Sequence, residues 1–263
     1  MVYLLLPAYN EEDSLDLLIP KVLGFFATDK RHDHHIIICN DGSTDTTLAK
    51  AEALVAQGLP VSIINHKLNR GLGETIRDLF ERAAEISKPG DIIIRMDCDD
   101  THEPESIKGL IDKIEEGNDV VVASRFVEGG GQEGLSAFRK NLSLAANYFM
   151  KMWFPIKGQK EYSSGFRAYK AEIIKEAIDT FGNAFIQLKG MGFSCTLEKI
   201  VKLRILNAKF AESPMILRYD QKVSESKMVG SITTLGYIML VILYYWPYGG
   251  WRSQYKSIRL KKK

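Results

Sequence analysis

Three carboxylates lie close together in the stretch RMDCDDTHEP, residues 95–104. Asp97 and Asp99 flank one residue directly after the apolar run DIII, and Asp100 is adjacent. Carboxylates crowded at the end of a buried strand repel one another unless a cation is present. Because hard oxygen ligands favour Mg²⁺ or Mn²⁺, the spacing predicts a metal and diphosphate site at Asp97 and Asp99. The alternative is a solvated acidic turn in which Asp100 or Thr101 caps the following helix.

Two other polar stretches contain candidates for nucleotide binding. PAYNEED offers Tyr9 to stack on a base, and Asn10 or Glu11 to accept hydrogen bonds from a sugar or a base. NDGSTD offers Asp41, which can hold a base edge or a ribose. Both stretches also resemble ordinary helix starts, so neither is specific by itself.

All three stretches follow short apolar runs that alternate with longer amphipathic segments. Strands rich in Ile, Val and Leu, separated by helix-length segments, indicate a parallel sheet covered on both faces. In such a sheet, ligands bind at the carboxyl ends of the strands, so we predict an α/β fold with these stretches at one edge. The predicted strands are 2–6, 35–39, 61–65, 91–96 and 119–124, and the predicted helices are 11–26, 44–56, 74–87 and 104–116. Ser43 or Thr44 is the predicted cap of the second helix, and a cap at Asn10 or Glu11 of the first helix is the alternative to a nucleotide contact there.

The alternation ends after Ser124. Glycine-rich residues 128–134 predict a mobile loop, followed by a helix over 136–153, a strand over 163–170 that enters another helix, and a helix over 193–206.

Several cations are candidates for binding phosphate. Arg70 precedes the sequence GLG, residues 71–73, in a loop suited to phosphate. Several later cations on one side of the site would suit a second, phosphate-bearing substrate, although a single arginine is more commonly a surface ion-pair partner. These cations are Arg125, Arg139, Lys140 and Arg167.

The C-terminal segment has a different composition. No charged residue occurs between Met228 and Trp251, and residues 232–246 are rich in Leu, Ile, Met and aromatic side chains. Aromatic residues followed by a basic tail are typical of a membrane interface. A single crossing would carry that tail to the far side, and the apolar core is shorter than the ~20 residues of a span. We therefore expect an amphipathic, interfacial or re-entrant helix, with a buried core helix as the alternative.

Composition excludes some classes of protein. With 263 residues, 45% of them hydrophobic, the chain can bury a sizeable core, and its net charge of +2 gives no argument for nucleic-acid binding. Three widely spaced cysteines fit neither a disulfide framework nor a structural zinc site and favour a reducing cytosol. The histidines of residues 31–35 precede a strand at the opposite edge, and no distant ligands complete a metal site there. His66 and His102 are expected to be structural or peripheral.

The ordered set PAYNE, NDGSTD, RGLGETI, DCDD, ASRF, RKNLSLAAN, SSGFRAY and ESK resembles family 2 glycosyltransferases, and among them the dolichol-phosphate mannosyltransferase and polyprenyl-phosphate glycosyltransferase group. The resemblance covers about residues 2–228. It implies the GT-A fold, a Rossmann-like and mostly parallel sheet flanked by helices, over residues 1–228, with a membrane-associated helix and basic tail over 229–263. It further implies inverting transfer of a sugar from GDP-mannose or a UDP-hexose to a polyprenyl phosphate, with Mg²⁺ or Mn²⁺.

The resemblance also implies roles for individual residues. The nucleotide sugar would be bound by Pro7, Tyr9, Glu11, Cys39, Asp41, Asp97, Cys98, Asp99 and Lys227, with the metal on Asp97 and Asp99. The acceptor phosphate would be bound by Arg125, Arg139 and Ser143, and the catalytic residues would be Asp99, Arg125 and Lys227. The chain departs from the family pattern at Cys98, at Thr101 where relatives often have Gln, and at Gln221 where relatives have Arg, with Arg218 and Lys222 near enough to substitute.

A lipid acceptor predicts a peripheral or monotopic protein on the cytoplasmic face of a membrane. A membrane partner subunit and a homo-oligomer stay open as further partners. Two other functions also stay open: a GT-A transferase acting on a soluble saccharide or a protein, and a catalytically silent scaffold that binds a sugar nucleotide.

Overall fold

A central sheet with helices on both faces forms most of the protein. The structure, a computed structural model, describes residues 1–222 and 229–261. The strands are β1 (Val2–Ala8), β2 (His34–Asp41), β3 (Val61–His66), β4 (Ile92–Arg95), β5 (Val120–Ser124), β6 (Gly131–Glu133), β7 (Arg167–Lys170), β8 (Phe210–Pro214) and β9 (Ile216–Arg218). The helices are α1 (Glu12–Thr28), α2 (Thr47–Ala56), α3 (Leu72–Ile86), α4 (Ser106–Glu115), α5 (Ala137–Trp153), α6 (Ala171–Phe181), α7 (Ser194–Ile205), α8 (Gly230–Tyr245), α9 (Gly250–Gln254) and α10 (Lys256–Lys261).

The main sheet has the order β3-β2-β1-β4-β7-β5-β8 over the described residues. β1 is parallel to β2 and β4, β2 is parallel to β3, and β5 is parallel to β8. β7 runs antiparallel between β4 and β5. The prediction of a mostly parallel sheet is therefore confirmed, with one reversed strand. The short strands β6 and β9 pair with each other in a separate two-stranded sheet.

Burial on both faces explains the continuous apolar runs of the central strands. In β4, Ile92 and Ile94 pack into one apolar cluster, and Ile93 packs into the other. Successive side chains of a strand point to opposite faces, so a strand between two layers needs an apolar residue at every position. α3 contributes its buried stripe to the cluster of Ile93, and α4 contributes its stripe to the cluster of Ile92 and Ile94.

The helix caps that the sequence offers, whether as a prediction or as an alternative, are not formed. α1, α2 and α4 begin without a side-chain cap hydrogen bond. Asn10 instead joins two loops, because its side-chain oxygen accepts a hydrogen bond from the backbone N–H of Thr44 at 2.9 Å. The polar residues at these positions hold the loops after the strands together. The caps that the structure does not bear out are Asn10 or Glu11, Ser43 or Thr44, and Asp100 or Thr101.

The C-terminal helix α8 lies against α7. Its buried side consists of Thr233, Gly236, Leu240 and Tyr244, spaced three and four residues apart. A side chain at Gly236 would have no room, because a Cβ there would come within 2.6 Å of the Cβ of Ser194. The close approach of the two helices therefore depends on this glycine.

Candidate active site

The three polar stretches open on one edge of the sheet, as predicted. In the parallel register Pro7 of β1 lies beside Cys39 of β2, and Leu5 lies beside Arg95 of β4. The three strands point the same way, so the loops after them meet at one edge. This donor edge, as we call the loops after β1, β2 and β4, carries the predicted nucleotide and metal residues.

Each carboxylate of the DCDD stretch is paired with a cation. The three pairs are Asp97 with Arg95, Asp99 with Lys222, and Asp100 with Lys21. The cations come from β4, from the segment after β9 and from α1, respectively. The chain itself thus balances the charge of the three carboxylates.

Asp97 and Asp99 fit a hard divalent cation as part of its ligand set. Their side chains are 26% and 19% exposed, whereas that of Asp100 is 4% exposed, so the first two can be reached from solvent. In residues 1–222 and 229–261, no group of three or more His, Cys, Asp or Glu side chains has the arrangement of a metal site. An ion held by Asp97 and Asp99 would take its other ligands from a diphosphate and water, which is the coordination that Mg²⁺ favours.

Burial and the Lys222 ammonium act on Asp99 in opposite directions. Burial raises the pKa of Asp99, but Lys222, His102 and the Thr101 hydroxyl lower it, and the net shift is downward. His102 is buried, which lowers its pKa, and its Nδ1 accepts a hydrogen bond from the backbone N–H of Asp97 at 3.3 Å. Asp99 is therefore an anion and His102 a neutral imidazole near pH 7. His102 supports the turn from inside the site and not from its periphery.

Asp41 organises the loop that precedes α3. Its two oxygens accept hydrogen bonds from the backbone N–H groups of Arg70 and Gly71, both at 2.9 Å. His66 Nδ1 lies 2.8 Å from the same carboxylate, and His66 Nε2 lies 3.0 Å from Asp78. Asp41 is predicted to contact the nucleotide, but its carboxylate already has three partners within the protein.

The other predicted nucleotide residues differ in access. Pro7 and Tyr9 are partly exposed, and Glu11 is buried. Cys39 has no exposed surface, and burial raises the pKa of its thiol to about 12. Cys98 is also buried. Because both thiols lie in the apolar cores, a nucleotide would meet these two positions through backbone atoms.

Arg125 is held after β5 by a buried carboxylate. Its Nε and Nη2 donate to the two oxygens of Glu161 at 2.8 and 3.0 Å, and the Glu161 side chain has no exposed surface. Nη2 also lies 2.8 Å from the hydroxyl of Ser163 and 3.1 Å from that of Ser143. The structure therefore brings together two of the three predicted acceptor residues, Arg125 and Ser143. We call Arg125, Ser143, Glu161 and Ser163 the arginine clamp.

The third predicted acceptor residue, Arg139, contacts a different group. Its guanidinium lies 5.2 Å from the ring centroid of Tyr219 and donates to the tyrosine hydroxyl. Arg139 is exposed at the start of α5, one turn before Ser143. Arg167 does not belong to the site surface at all, contrary to prediction, because it is fully buried and donates to two backbone carbonyls.

Lys227, a predicted donor and catalytic residue, lies outside the described residues. Among the cations expected to replace the family arginine, Lys222 reaches Asp99. Arg218 instead pairs with Asp220 at 2.8 Å. Lys222 is therefore the substitute that meets the carboxylate pair.

Two residues of the site, Arg95 and Glu161, were not predicted from the sequence. Arg95 had a usable signal, because an arginine that ends an otherwise apolar buried strand needs a partner close by. Glu161 had none, because it pairs with a residue 36 positions away. Neither its neighbours nor its spacing indicates that contact.

Exposed apolar side chains form a surface on α8 and α5. On α8, Leu235, Ile238 and Ile242 are exposed on the side opposite to the helix face that packs on α7. On α5, exposed side chains recur every four residues, at Leu144, Tyr148 and Met152. The helices meet where the Tyr245 hydroxyl donates to the Trp153 carbonyl at 2.8 Å. Among the described residues, one stretch, Gly230–Gln254, is long and apolar enough to cross a membrane.

Comparison with known proteins gives a consistent family. The model of glycosyl transferase family 2 matches residues 3–178. The chain is 29% identical over 230 residues to the dolichol-phosphate mannosyltransferase of Pyrococcus furiosus. The matched region covers 87% of this chain but only 59% of that protein, so the chain spans less than two thirds of the relative's length. It is 28% identical over 229 residues to the polyprenol monophosphomannose synthase of Mycolicibacterium smegmatis, with 86% of this chain and 80% of that protein covered. It is 27% identical over 231 residues to the undecaprenyl-phosphate mannosyltransferase of Micrococcus luteus, with 88% of each covered.

Solved structures share the fold. One is glucosyl-3-phosphoglycerate synthase from Mycobacterium tuberculosis in complex with Mn²⁺, UDP and glucosyl-3-phosphoglycerate, with a TM-score of 0.58 and 16% identity over 92% of this chain and 78% of that chain. Another is S. aureus TarS 1–349 in complex with UDP-GlcNAc, with a TM-score of 0.58 and 16% identity over 99% of this chain and 70% of that chain. These similarities confirm the predicted GT-A architecture.

Proposed function

Because the chain belongs to glycosyl transferase family 2, we propose that it transfers a hexose from a nucleotide sugar to a polyprenyl phosphate, with inversion at the anomeric carbon. The relatives support this acceptor, since their names describe mannosyl transfer to dolichol, polyprenol and undecaprenyl phosphates. The observation that carries the proposal is the pairing of a carboxylate edge with an arginine clamp. His102 connects these two regions. Its Nδ1 lies 3.8 Å from Asp97 Oδ2, and the charges of both Asp97 and Arg125 act on its imidazole.

On the donor side, Asp97 and Asp99 would hold Mg²⁺ or Mn²⁺ together with the diphosphate. The bound ion neutralises charge that develops on the nucleoside diphosphate leaving group. Lys222, which bonds Asp99 in this structure, and Lys227 would add positive charge at the same oxygens. The base and the sugar would be bound by Pro7, Tyr9, Glu11, Cys39, Asp41 and Cys98.

On the acceptor side, Arg125, Ser143 and Arg139 would bind the lipid phosphate. A phosphate monoester with a second pKa near 6 is already largely ionised at neutral pH, so an oxygen can attack without a strong general base. Arg125 is pre-oriented by Glu161, and this fixes the position of the bound phosphate for in-line attack. A cleft of about 230 Å³ lies beside the clamp, since one of its lining residues, Asn147, donates to the Ser163 hydroxyl at 3.3 Å, and its lining is apolar, polar and basic. The lining residues are Phe126, Leu144, Asn147, Tyr148, Lys151 and Lys160.

The test is a donor panel with a lipid-phosphate acceptor. The full chain is incubated with labelled GDP-mannose, UDP-glucose and UDP-GlcNAc, with Mn²⁺ or Mg²⁺, and with undecaprenyl or dolichyl phosphate. We expect labelled glycolipid from one donor and none from the Asp99→Asn variant. Transfer only to a soluble saccharide or protein would replace the lipid acceptor. Nucleotide binding without transfer to any acceptor would identify a silent scaffold.

We also propose that residues 229–263 attach the catalytic unit, residues 1–228, to the cytoplasmic face of a membrane. α8 has 16 residues and a length of about 24 Å, which is shorter than the ~30 Å hydrocarbon core. One side of α8 is bound to α7, and the other exposes Leu235, Ile238 and Ile242. These features support a helix that lies in the membrane interface.

Flotation with liposomes tests this attachment. Replacing Leu235, Ile238 and Ile242 with Ser should reduce the bound fraction about tenfold or more, because each residue loses apolar surface that lipid would cover. The matched control replaces three other exposed apolar residues, Leu17, Val55 and Leu68, with Ser and should float like the wild type. Equal flotation of all three proteins would reject α8 as the attachment.

A further inference from the structure

Arg95 is an arginine in the interior of the protein. It ends β4, and its side chain is 1% exposed. One nitrogen, Nη2, donates to Asp97 Oδ1, whereas Nε and Nη1 have no hydrogen-bond partner among the described residues. A buried guanidinium with unpaired nitrogens is costly. The contact with Asp97 is therefore the main interaction that offsets the cost of burying this charge.

The surroundings of Arg95 increase that cost. Arg167 lies directly opposite it in the antiparallel register of β4 and β7 and is also fully buried. Lys199 is buried nearby, and the charges of both arginines act on it. Two buried arginines and Lys199, whose pKa burial lowers well below its ordinary value, thus lie beneath the donor edge, and of these three Arg95 alone contacts one of the two proposed metal ligands.

Gly165 makes room for this arginine. A Cβ at residue 165 would stand 1.5 Å from Arg95 Nη1 and 2.7 Å from its Cζ. The backbone at Gly165 does not have a positive φ, so the glycine is needed for space and not for conformation. The guanidinium is thus confined between the backbone of residue 165 and the carboxylate of Asp97.

Arg95 and Lys222 differ in how readily they can leave their carboxylates. Lys222 lies on the segment after β9, is partly exposed and can be replaced at Asp99 by an arriving cation. Arg95 is on the strand that leads into the turn carrying Asp97 and is enclosed, and Asp97 is the one hydrogen-bond partner of its side chain among the described residues. It therefore stays at Oδ1, while the other carboxylate oxygen of Asp97 lies 3.8 Å from His102 Nδ1 and the carboxylate keeps a 26% exposed side chain.

We propose that Arg95 is a permanent counter-ion of Asp97 that keeps the divalent-cation site weak in the free protein, so that the ion is held tightly only together with a diphosphate. The inference rests on the proposed function for the identity of that diphosphate. A fixed positive charge beside a metal ligand repels an incoming cation and occupies one ligand oxygen. A bound diphosphate adds the negative charge that offsets this repulsion. Arg95 acts through Asp97 and is a positioning residue.

Mn²⁺ binding, measured by the loss of the free-ion EPR signal, tests the role without any turnover. For the wild type we expect Mn²⁺ affinity at least about tenfold weaker without nucleotide than with GDP or UDP. Arg95→Met removes the charge while retaining a long apolar side chain, and it should tighten Mn²⁺ binding to the free protein at least about tenfold. The increase in melting temperature caused by Mn²⁺ should grow in the same variant.

Two further variants control for loss of a buried charge and for misfolding. Arg167→Met removes an equally buried arginine that does not contact Asp97, and it should change Mn²⁺ affinity much less. Gly165→Ala leaves Arg95 in the chain but displaces its guanidinium from Asp97, and it should tighten Mn²⁺ binding in the same direction. If circular dichroism shows that Arg95→Met does not fold, Gly165→Ala decides the question.

Unchanged or weaker Mn²⁺ binding by folded Arg95→Met, or by Gly165→Ala in its place, would overturn the proposal. Tight Mn²⁺ binding by the nucleotide-free wild type would also overturn it. Failure of the proposed function has a different signature, because it appears in the donor panel as absence of labelled glycolipid, whether or not GDP or UDP binds. The titrations without nucleotide still report on Arg95 in that case.

Discussion

The donor edge and the arginine clamp have opposite charge, and they differ in how far their counter-ions are enclosed. At the donor edge, carboxylates face the site, and two of their counter-ions, Lys222 and Lys21, are partly exposed. At the clamp, the side chain of the cation Arg125 is only 7% exposed, and its counter-ion Glu161 is fully enclosed. Glu161 also accepts hydrogen bonds from the backbone N–H groups of Ser163 and Ser164 at 2.9 and 3.0 Å.

This difference matches what each half would have to bind. A nucleotide sugar would arrive with a cation, so the carboxylates need counter-ions that can be exchanged. A lipid phosphate brings only negative charge, so the clamp can keep one arrangement throughout. The clamp is therefore pre-organised, whereas the donor edge contains one fixed cation, Arg95, and one exchangeable cation, Lys222.

The largest effect is expected where the clamp is broken. Arg125→Met leaves Glu161 as a buried charge without its cation, and it should lower the free energy of unfolding by about 3–5 kcal/mol in urea denaturation. Adding Glu161→Gln in the same chain should recover most of that loss, because the unpaired charge is removed. If Arg125→Met alone were as stable as the wild type, the clamp would not be pre-organised by the pair of Arg125 and Glu161.

At the donor edge, the largest expected loss is in catalysis. Asp99→Asn should reduce kcat/KM by about 10²-fold or more while the protein stays folded, because the ion and Lys222 both lose their anion. Asp100→Asn is the matched control one residue away. Asp100 has a φ of 57°, which Asn tolerates, and it pairs with Lys21 outside the proposed metal ligands. Equal losses in the two variants would remove the distinction between Asp99 and Asp100.

Lys222→Met should alter the pH dependence more than the stability. Lys222 helps to hold the pKa of Asp99 below its ordinary value against the effect of burial, so its removal raises that pKa. The wild type keeps Asp99 ionised until the pH falls through the lowered pKa. The acid limb of the kcat/KM profile should therefore move to higher pH in Lys222→Met. Because the pair is partly exposed, the unfolding free energy should change by less than about 1 kcal/mol.

The smallest effect is expected at the opposite edge of the sheet, where Asp29 contacts His32 and His34 at the start of β2. Burial raises the pKa of Asp29, but hydrogen bonds from the Arg31 backbone N–H and from His32 lower it by more, so that the pKa is about 2. This contribution to stability is complete above about pH 4 and is lost as the pH falls toward about 2. Asp29→Asn should cost up to about 1 kcal/mol at pH 6 and nothing near pH 2 in urea denaturation, because solvent screens the pair. Glycosyl transfer should not change.

The sequence predicted the elements that have a local signal. The central strands are buried on both faces, so their continuous apolar runs revealed the order from β1 to β5 and the shared edge of the three polar loops. β8 was missed because it pairs only with β5 and is only partly buried, so its sequence FAESP lacks an apolar run. The reversed direction of β7 has no local signal, since a short strand reads the same in either direction.

The counter-ions of the site could not be predicted for a related reason. Asp97 and Asp99 are recognisable by spacing, and the partner of Asp97, Arg95, is two residues away, but the partners of Asp99 and Asp100 come from other parts of the fold. Lys21 pairs with a residue 79 positions away and Lys222 with one 123 positions away. Such pairs form only because the sheet brings distant segments together. Capping was predicted from residue type alone, and there the tertiary contacts between loops outweighed the local preference.

The two sides of α8 bear on how the protein would meet its acceptor. With one side bound to α7 and the other to lipid, the arginine clamp would stay at one height above the bilayer. Encounters with lipid phosphate would then occur by diffusion in two dimensions. The rate would follow the mole fraction of polyprenyl phosphate in the membrane, so dilution with inert lipid would slow transfer even when the amount of acceptor in the tube is constant.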